Sequence, residues 1–154
     1  MKYLIDSANL EDIRYGREFY PIDGVTTNPS LAAKEKKEFA KLIDDIRGII
    51  GNDKMLHVQA TAKKAEDIAA EAEMLRDRLG GRFYVKIPIG EEGLKAMAMI
   101  KKKGIGITAT AVFTPQQALI AARAGADFVA PYVNRLDNIT ADGAQVVADI
   151  VKLF

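Results

Sequence analysis

The stretch Phe83-Tyr-Val-Lys-Ile-Pro88 decides the fold, because it places a single lysine inside an apolar run that ends at a proline. A run rich in aromatic and β-branched residues is typical of a buried β-strand. Other lysines occur in polar stretches such as 34–37 and 101–103, where we expect solvent-exposed helix faces or loops. Burial lowers the pKa of an amine and raises its neutral, nucleophilic fraction. The alternative is a strand-edge lysine that extends its amine into water, so the surroundings of Lys86 must decide.

Short apolar runs alternate with longer amphipathic stretches along the chain. Strands are predicted at 3–6, 24–27, 56–60, 83–88, 105–112 and 128–132, and helices at 9–19, 29–50, 65–79, 91–102, 115–124 and 141–153. Thr114-Pro115 supplies an N-cap followed by a proline at the first helical position, and Gly125 is typical of the residue that ends such a helix. The alternation predicts βαβ units with parallel strands. With no linker in the sequence, residues 1–154 are predicted to form a single domain.

Each predicted strand carries a polar side chain at or just beyond its C-terminal end. In chain order these are Asp6, Thr26 with Asn28, Gln59, Lys86, Thr110, and Tyr132 with Asn134 and Arg135. Because side chains alternate between the two faces of a strand, these polar groups can all point to the same side of the sheet. An open doubly wound sheet would suit the length but would concentrate polar groups at one switch point. A barrel collects them from many strands, so we predict an α/β fold of the (βα)8 TIM-barrel type, with parallel strands, truncated to about six βα units.

The composition excludes several classes of function. A net charge of +1 does not fit a strongly basic nucleic-acid-binding surface, and no apolar run reaches the ~20 residues that span a bilayer. Cysteine is absent and His57 is the single histidine, so we expect no thiolate or multi-histidine metal site, and we expect His57 to be an interior histidine. The early acidic residues do not fit a signal peptide. We therefore expect a cytoplasmic protein that binds neither nucleic acid nor membrane.

A series of motifs carries a resemblance to a known family. The stretches are Gly24-Val-Thr-Thr-Asn-Pro-Ser30, Val85-Lys-Ile-Pro88, Glu92-Gly-Leu94, Thr110-Ala-Val-Phe113 and Ala130-Pro-Tyr-Val-Asn-Arg135. In order and spacing they resemble the transaldolase superfamily, most closely its fructose-6-phosphate aldolase branch. The resemblance implies a class I aldolase that forms a Schiff base and needs no cofactor. It also implies a reaction, the reversible cleavage of ketoses like fructose 6-phosphate to dihydroxyacetone and glyceraldehyde 3-phosphate.

The resemblance also implies a role for each candidate residue. Lys86 matches the Schiff-base nucleophile of the family. Asp6 matches the aspartate that transfers protons and contacts donor hydroxyls, and Thr110 matches the threonine that helps to hold a catalytic water. The remaining matches are Thr26 and Asn28 near the donor hydroxyls, Arg135 at the phosphate of the aldehyde, and Gln59 and Tyr132, where transaldolases usually carry Glu and Phe. Gln59 and Tyr132 are therefore expected to serve proton transfer, which favours aldol cleavage over transfer of dihydroxyacetone.

The family barrel has two further strands and helices, so the first and last strands of this chain are expected to have unpaired edges. We expect another subunit to cover them, which makes a homo-oligomer, with small-molecule ketose and aldehyde phosphates as the other partners. A rearranged sheet and a smaller six-stranded barrel are the alternatives. Three other functions stay open: a transaldolase, a non-catalytic truncated or engineered barrel fragment that acts as a scaffold or sugar-phosphate binder, and a different barrel enzyme such as a phosphosugar isomerase, for which a suitable Glu/His pair is missing.

Overall fold

The computed structural model describes residues 2–154, in which strands and helices alternate. The strands are β1 (Leu4–Asp6), β2 (Gly24–Thr26), β3 (Met55–Gln59), β4 (Phe83–Pro88), β5 (Gly106–Val112) and β6 (Phe128–Pro131). The helices are α1 (Leu10–Phe19), α2 (Pro29–Lys34), α3 (Phe39–Ile50), α4 (Ala65–Leu79), α5 (Glu91–Lys101), α6 (Pro115–Arg123), α7 (Val133–Asp137) and α8 (Gly143–Leu153). Each strand lies where the sequence predicts it, within one residue at either end.

The strands form a parallel sheet whose spatial order is the chain order, β1-β2-β3-β4-β5-β6. A doubly wound sheet reverses its strand order at a switch point, and this sheet does not, so that alternative is wrong. The sheet is strongly curled, because His57 on β3 reaches Thr108 on β5 and packs against Phe128 on β6. The result is a curled half-barrel of the TIM-barrel type, as predicted. Within residues 2–154, β1 and β6 do not pair, so the arc is open and the six-stranded closed barrel is also excluded.

The two faces of the sheet have different chemistry. Side chains that point outward, such as Val58, Val85 and Ile107, are fully buried against the helices and belong to one continuous apolar core. Side chains that point inward include the buried polar residues His57 and Lys86. The apolar core therefore stabilises the sheet from outside, where burial of each large aliphatic side chain contributes about 1.5–3 kcal/mol, and the inner face is left to polar groups.

Two helix predictions are wrong in detail. The helix expected at 29–50 is two helices, α2 and α3, separated by a turn in which Lys36 has a left-handed backbone (φ 51°). The stretch from Glu35 to Glu38 has no apolar side chain to anchor a helix to the core, so the chain turns there. The short helix α7 was not predicted, and α8 begins at Gly143, two residues later than expected. No helix among residues 2–154 is both long enough and apolar enough to cross a membrane.

Candidate active site

Lys86 lies on β4 at the centre of the inner face, and it is only 6% exposed. Its Nζ donates hydrogen bonds to Thr26 Oγ1 and to the backbone oxygen of Thr27, each at 2.9 Å. Burial lowers the pKa of the Lys86 amine, while the negative charge of Asp6 acts in the opposite direction. The strand-edge alternative is therefore wrong, because the amine extends across the interior towards β2 and not out into water.

Asp6 and Thr26 are neighbours on the side of the arc that faces the amine. They are paired in the parallel register of β1 and β2. The Asp6 side chain is exposed at the end of the edge strand, and its charge acts on Lys86. A carboxylate in this position can stabilise a cation at Lys86 and exchange protons with solvent.

Asn28 combines a structural contact with a place in the candidate site. Its Oδ1 accepts a hydrogen bond from the backbone N–H of Leu31 at 3.0 Å and so caps α2. The cap fixes the amide at the end of β2, where Asn28 also lines a cavity. The close approach of β2 to β3 depends on Gly24, since a Cβ there would lie 2.2 Å from the backbone oxygen of Met55. A glycine at the start of the strand thus sets the position of Thr26 and Asn28 at its end.

Thr110 stands on β5 at a break in the strand ladder. It is 2% exposed, and its backbone oxygen accepts a hydrogen bond from Ile89 N–H at 2.9 Å. The register with β6 shifts between Thr110 and Val112, and Ala111 has a left-handed backbone at φ 57°. A bulge of this kind re-aims the side chains on either side of it, and here it follows directly after Thr110.

A cavity of about 660 Å³ opens where the C-terminal ends of β2, β3 and β6 come together. Gln59, the register neighbour of Lys86, lines it together with Asn28, Tyr132 and Arg135. The cavity brings together residues that are more than seventy positions apart in the chain. In TIM barrels this end of the strands carries the active site, and the volume fits a small phosphorylated sugar.

Arg135 and Tyr132 form one unit at the rim of this cavity. The guanidinium carbon of Arg135 lies 4.9 Å from the centre of the Tyr132 ring, and the ring packs edge-to-face on Phe113 at 5.4 Å. The carboxylate of Asp137, a possible partner for the arginine, instead accepts a hydrogen bond from Gly143 N–H at 2.9 Å. The exposed guanidinium of Arg135 therefore faces the cavity as a cation available to an anionic ligand.

The structure adds residues that the sequence did not bring forward. His57 is an interior histidine, as expected, but only Nδ1 is bonded, to Thr108 Oγ1 at 2.8 Å, and Nε2 has no partner within residues 2–154. Its ring stacks on Tyr84 at 4.7 Å. The signal was present, since His57 shares a face with Gln59 and Tyr84 with Lys86. Lys34 also lines the cavity, from the end of α2, although its lysine-rich surroundings predicted only a solvated surface.

The fold and the site together define a TIM-barrel-type protein with a buried lysine at the C-terminal ends of its strands. The sequence model of the transaldolase/fructose-6-phosphate aldolase family matches residues 3–154. The chain belongs to this family, whose members act by aldolase or transaldolase chemistry, and sugar phosphates are the substrates that the family indicates.

Individual relatives carry both of the family's activities in their names. A "probable transaldolase" of Brachyspira hyodysenteriae is 44% identical over 154 residues, which is the whole of this chain and 70% of the relative. A "probable fructose-6-phosphate aldolase" of Streptococcus pneumoniae is 38% identical over 97% of this chain and 68% of its own length. Among solved structures, 3,6-anhydro-D-galactonate cycloisomerase from Zobellia galactanivorans is similar in fold alone, with a TM-score of 0.63, 16% identity, and coverage of 99% of this chain and 42% of that protein.

Proposed function

We propose that the chain is a class I aldolase that cleaves and forms ketoses like fructose 6-phosphate through an imine on Lys86. The observation that carries the proposal is the buried Lys86 amine, which is held by two oxygen acceptors at the end of the sheet where TIM-barrel enzymes react. Lowering of its pKa by burial increases the fraction of neutral amine near pH 7, and only the neutral amine is a nucleophile.

The chemistry follows from an amine in this environment. Neutral Lys86 attacks the ketone carbon, and loss of water from the carbinolamine gives an iminium. A base removes the proton of the C4 hydroxyl, the C3–C4 bond breaks, and its electron pair moves to C3 to give an enamine and the free aldehyde. Protonation of the enamine and hydrolysis release dihydroxyacetone and restore the amine. Asp6 would balance the charge of the iminium, as it favours the charged form of Lys86 in the free protein.

We assign the proton transfers at C4 to the groups around the cavity. Gln59 lines it from the end of β3 and Tyr132 from the residue after β6, and Thr110 is on the neighbouring strand β5. A phenol and a bound water are both suited to carry a proton away from the C4 hydroxyl. Thr26 and Asn28 would contact the donor hydroxyls, because they stand next to the amine and at the cavity wall.

The second candidate is a transaldolase, which would pass the dihydroxyacetone unit directly to an aldose phosphate. This candidate is kept because relatives that are 44% and 43% identical to this chain are named probable transaldolases. A single comparison separates the two: the enzyme is supplied with free dihydroxyacetone and glyceraldehyde 3-phosphate, and separately with fructose 6-phosphate and an aldose phosphate acceptor. The proposal requires ketose formation from the free donor. Transfer without any reaction of free dihydroxyacetone would mean that the second candidate is right, and neither reaction would mean a non-catalytic binder.

Arg135 is proposed to bind the phosphate of the aldehyde. Its exposed guanidinium faces the cavity, and its stacking on Tyr132 fixes its direction. A planar guanidinium is well suited to bidentate binding of phosphate. Replacement of Arg135 by Gln should raise KM for glyceraldehyde 3-phosphate much more than KM for unphosphorylated glyceraldehyde.

We also propose that the chain forms a homo-oligomer and that it is located in the cytoplasm. The location is proposed because the sequence has no cysteine, as is common in a reducing compartment.

A further inference from the structure

A layer of three rings fills the interior of the arc one step closer to the N-terminal strand ends than Lys86. His57 stacks on Tyr84 with ring centres 4.7 Å apart and planes at 13°. Phe128 meets both rings edge-to-face, at 5.3 Å from His57 and 5.1 Å from Tyr84. Gly106 on β5 makes room for this layer, because a Cβ there would lie 2.4 Å from the Tyr84 ring. The three rings therefore pack together below the amine, with His57 buried and Tyr84 and Phe128 half-buried.

The His57 ring is tied to the strands that flank Lys86. Its Nδ1 is hydrogen-bonded to Thr108 Oγ1 at 2.8 Å, and Thr108 is the register partner of Lys86 on β5. On the other side, His57 pairs in register with Thr26, whose hydroxyl accepts the hydrogen bond from Lys86 Nζ. His57 is 3% exposed and Thr108 is 4% exposed, so this contact is dry. The hydrogen bond from His57 on β3 to Thr108 on β5 therefore crosses the inner face of β4, the strand that carries Lys86.

We infer that His57 is a positioning residue for Lys86: the imidazole ring, tied to Thr108 and stacked on Tyr84, keeps water away from the lysine side chain. The inference rests on the proposed use of Lys86 as the imine-forming amine. A dry surrounding makes the ammonium form costly, and the reactive neutral form is favoured. His57 would act through the space that its ring fills, without touching the substrate.

Electrostatics agree with a neutral ring in this place. Burial, together with the smaller effect of the Lys86 charge, lowers the pKa of His57 to about 4. Near pH 7 the ring therefore adds no second positive charge beside the lysine. Within residues 2–154, the titratable groups whose charges act on Lys86 are Asp6 on β1 and His57 on β3. Strands β2 and β5 contribute the hydroxyls of Thr26 and Thr108, and Tyr84 and Phe128 belong to the ring layer.

The test measures the pKa of Lys86 directly, by NMR titration of its ε-carbon in protein labelled with 13C-lysine, with the signal assigned by its loss in Lys86→Met. His57→Ala opens the layer and should raise the pKa of Lys86 by at least about half a unit, because water reaches the amine. The matched control is the double variant His57→Phe/Thr108→Val, which keeps the ring and removes both hydrogen-bonding partners together, a change that is close to neutral for buried pairs. It should leave the pKa where it is in the parent protein. If His57→Ala does not fold, His57→Leu should give a smaller shift in the same direction.

Two results would overturn the inference: an unchanged pKa of Lys86 in folded His57→Ala or His57→Leu, or an equal upward shift in the double variant, which would assign the effect to the hydrogen bond. The titration needs no substrate, so it is independent of the proposed reaction. The pH dependence of imine trapping in the same variants links the role of His57 to the proposed reaction. The midpoint of that pH dependence should shift together with the pKa of Lys86. A shifted pKa in a protein that traps no ketose would contradict the proposed function and leave the placement of His57 intact.

Discussion

Lys86 is held by Thr26 Oγ1 and the Thr27 backbone oxygen, yet its pKa is lowered. Two neutral acceptors satisfy two of the three ammonium protons, but they do not replace the water that burial removes. Desolvation is the larger effect, and Asp6 offsets only part of it. An amine in this balance loses its proton more readily than an exposed lysine and can still accept the positive charge of an iminium beside Asp6.

Tyr132 is the residue whose replacement best separates the steps of the proposed reaction. Tyr132→Phe removes the phenol oxygen and keeps the ring that packs on Phe113 and lies under Arg135. Since general acid–base catalysis contributes about 10²–10⁴-fold, ketose cleavage should fall by at least about tenfold, while imine formation should change little. Steady-state cleavage and borohydride trapping on the same preparations measure the two steps. Equal losses in both would mean that Tyr132 only packs.

His57 predicts an acid-side loss of stability. Its pKa is about 4 in the folded chain, against 6.5 for a histidine exposed to water, so between these values the unfolded chain binds a proton that the folded chain does not. The contribution of His57 to the free energy of unfolding is complete well above pH 6.5, and it is lost progressively as the pH decreases from 6.5 towards 4. At 1.36 kcal/mol per pKa unit the loss is about 2–3 kcal/mol at pH 4.5.

Urea unfolding at pH 7 and pH 4.5 measures this loss. Carboxylates titrate in the same range, so the relevant quantity is the difference between the parent protein and His57→Phe. The free energy of unfolding should fall less steeply with decreasing pH in the variant, by roughly the amount given above. Identical pH dependence in the two proteins would show that His57 takes up its proton in the folded state as easily as in the unfolded one.

Single residues also mark what the sequence could predict. Lys86 was found because a lysine in an apolar strand is unusual, and the polar strand ends followed from the alternation of side chains along a strand. The acceptor oxygen of Thr27 belongs to the backbone, which has no signature in the sequence. The bond from His57 to Thr108 joins β3 to β5 across β4, and only the curl of the sheet brings those two side chains together.

At the level of elements, β2 depends on the glycine at its start. A Cβ on Gly24 would lie 2.2 Å from the backbone oxygen of Met55, and backbone cannot move aside as a side chain can. Gly24→Ala should therefore cost several kcal/mol of unfolding free energy, of the order of 3 kcal/mol, as overpacking against a fixed neighbour does. It should also disturb the hydrogen bond between Thr26 and Lys86, and with it imine formation.

Gly48 is the matched control, because it lies exposed in α3 and a Cβ there meets nothing within 4 Å. Gly48→Ala should stabilise the protein by about 0.5–1 kcal/mol, since alanine favours a helix interior over glycine. Thermal or urea unfolding of both variants measures the contrast. If Gly24→Ala were as stable as the parent protein, β2 and β3 would not approach as closely as described.

Elements differ in how well their limits could be predicted. Strands were placed within one residue because each is a short apolar run bounded by polar or turn residues. The break between α2 and α3 was missed because residues 35–38 are compatible with a helix and carry no Gly or Pro to end it. The helix α7 was missed because a five-residue helix is too short to show a periodic pattern.

At the level of the whole molecule, the two edges of the arc are the largest unsatisfied feature. The outer side of β1 and that of β6 have no strand partner within residues 2–154. An apolar groove beside β1 is lined by Leu4, Ile5 and Tyr20, and a second one beside β6 includes Phe154, which is 65% exposed. Unpaired edges next to apolar surface favour association with another strand edge.

We therefore expect the chain to associate with a second copy of itself, most simply as a symmetric dimer. Light scattering at micromolar concentration should give at least twice the monomer mass of 16.8 kDa. Tyr20→Lys should weaken association by placing a charge in the groove beside β1, where the side chain is 57% exposed and its loss should not disturb the fold. Met74→Lys, at a 60% exposed position on α4, is the control. A stable monomer that unfolds cooperatively would contradict this expectation.

An imine between Lys86 and a ketose donor can be trapped by borohydride reduction in the presence of dihydroxyacetone and located by peptide mass mapping. Reduction converts the imine to a stable secondary amine, so the modified residue is identified without any assumption about later steps. We expect an adduct on the peptide that contains residues 83–88. It should be absent in Lys86→Met and retained in Lys95→Met, since Lys95 is exposed and paired with Glu66. An adduct on another lysine, or no adduct in the folded protein, would contradict this expectation.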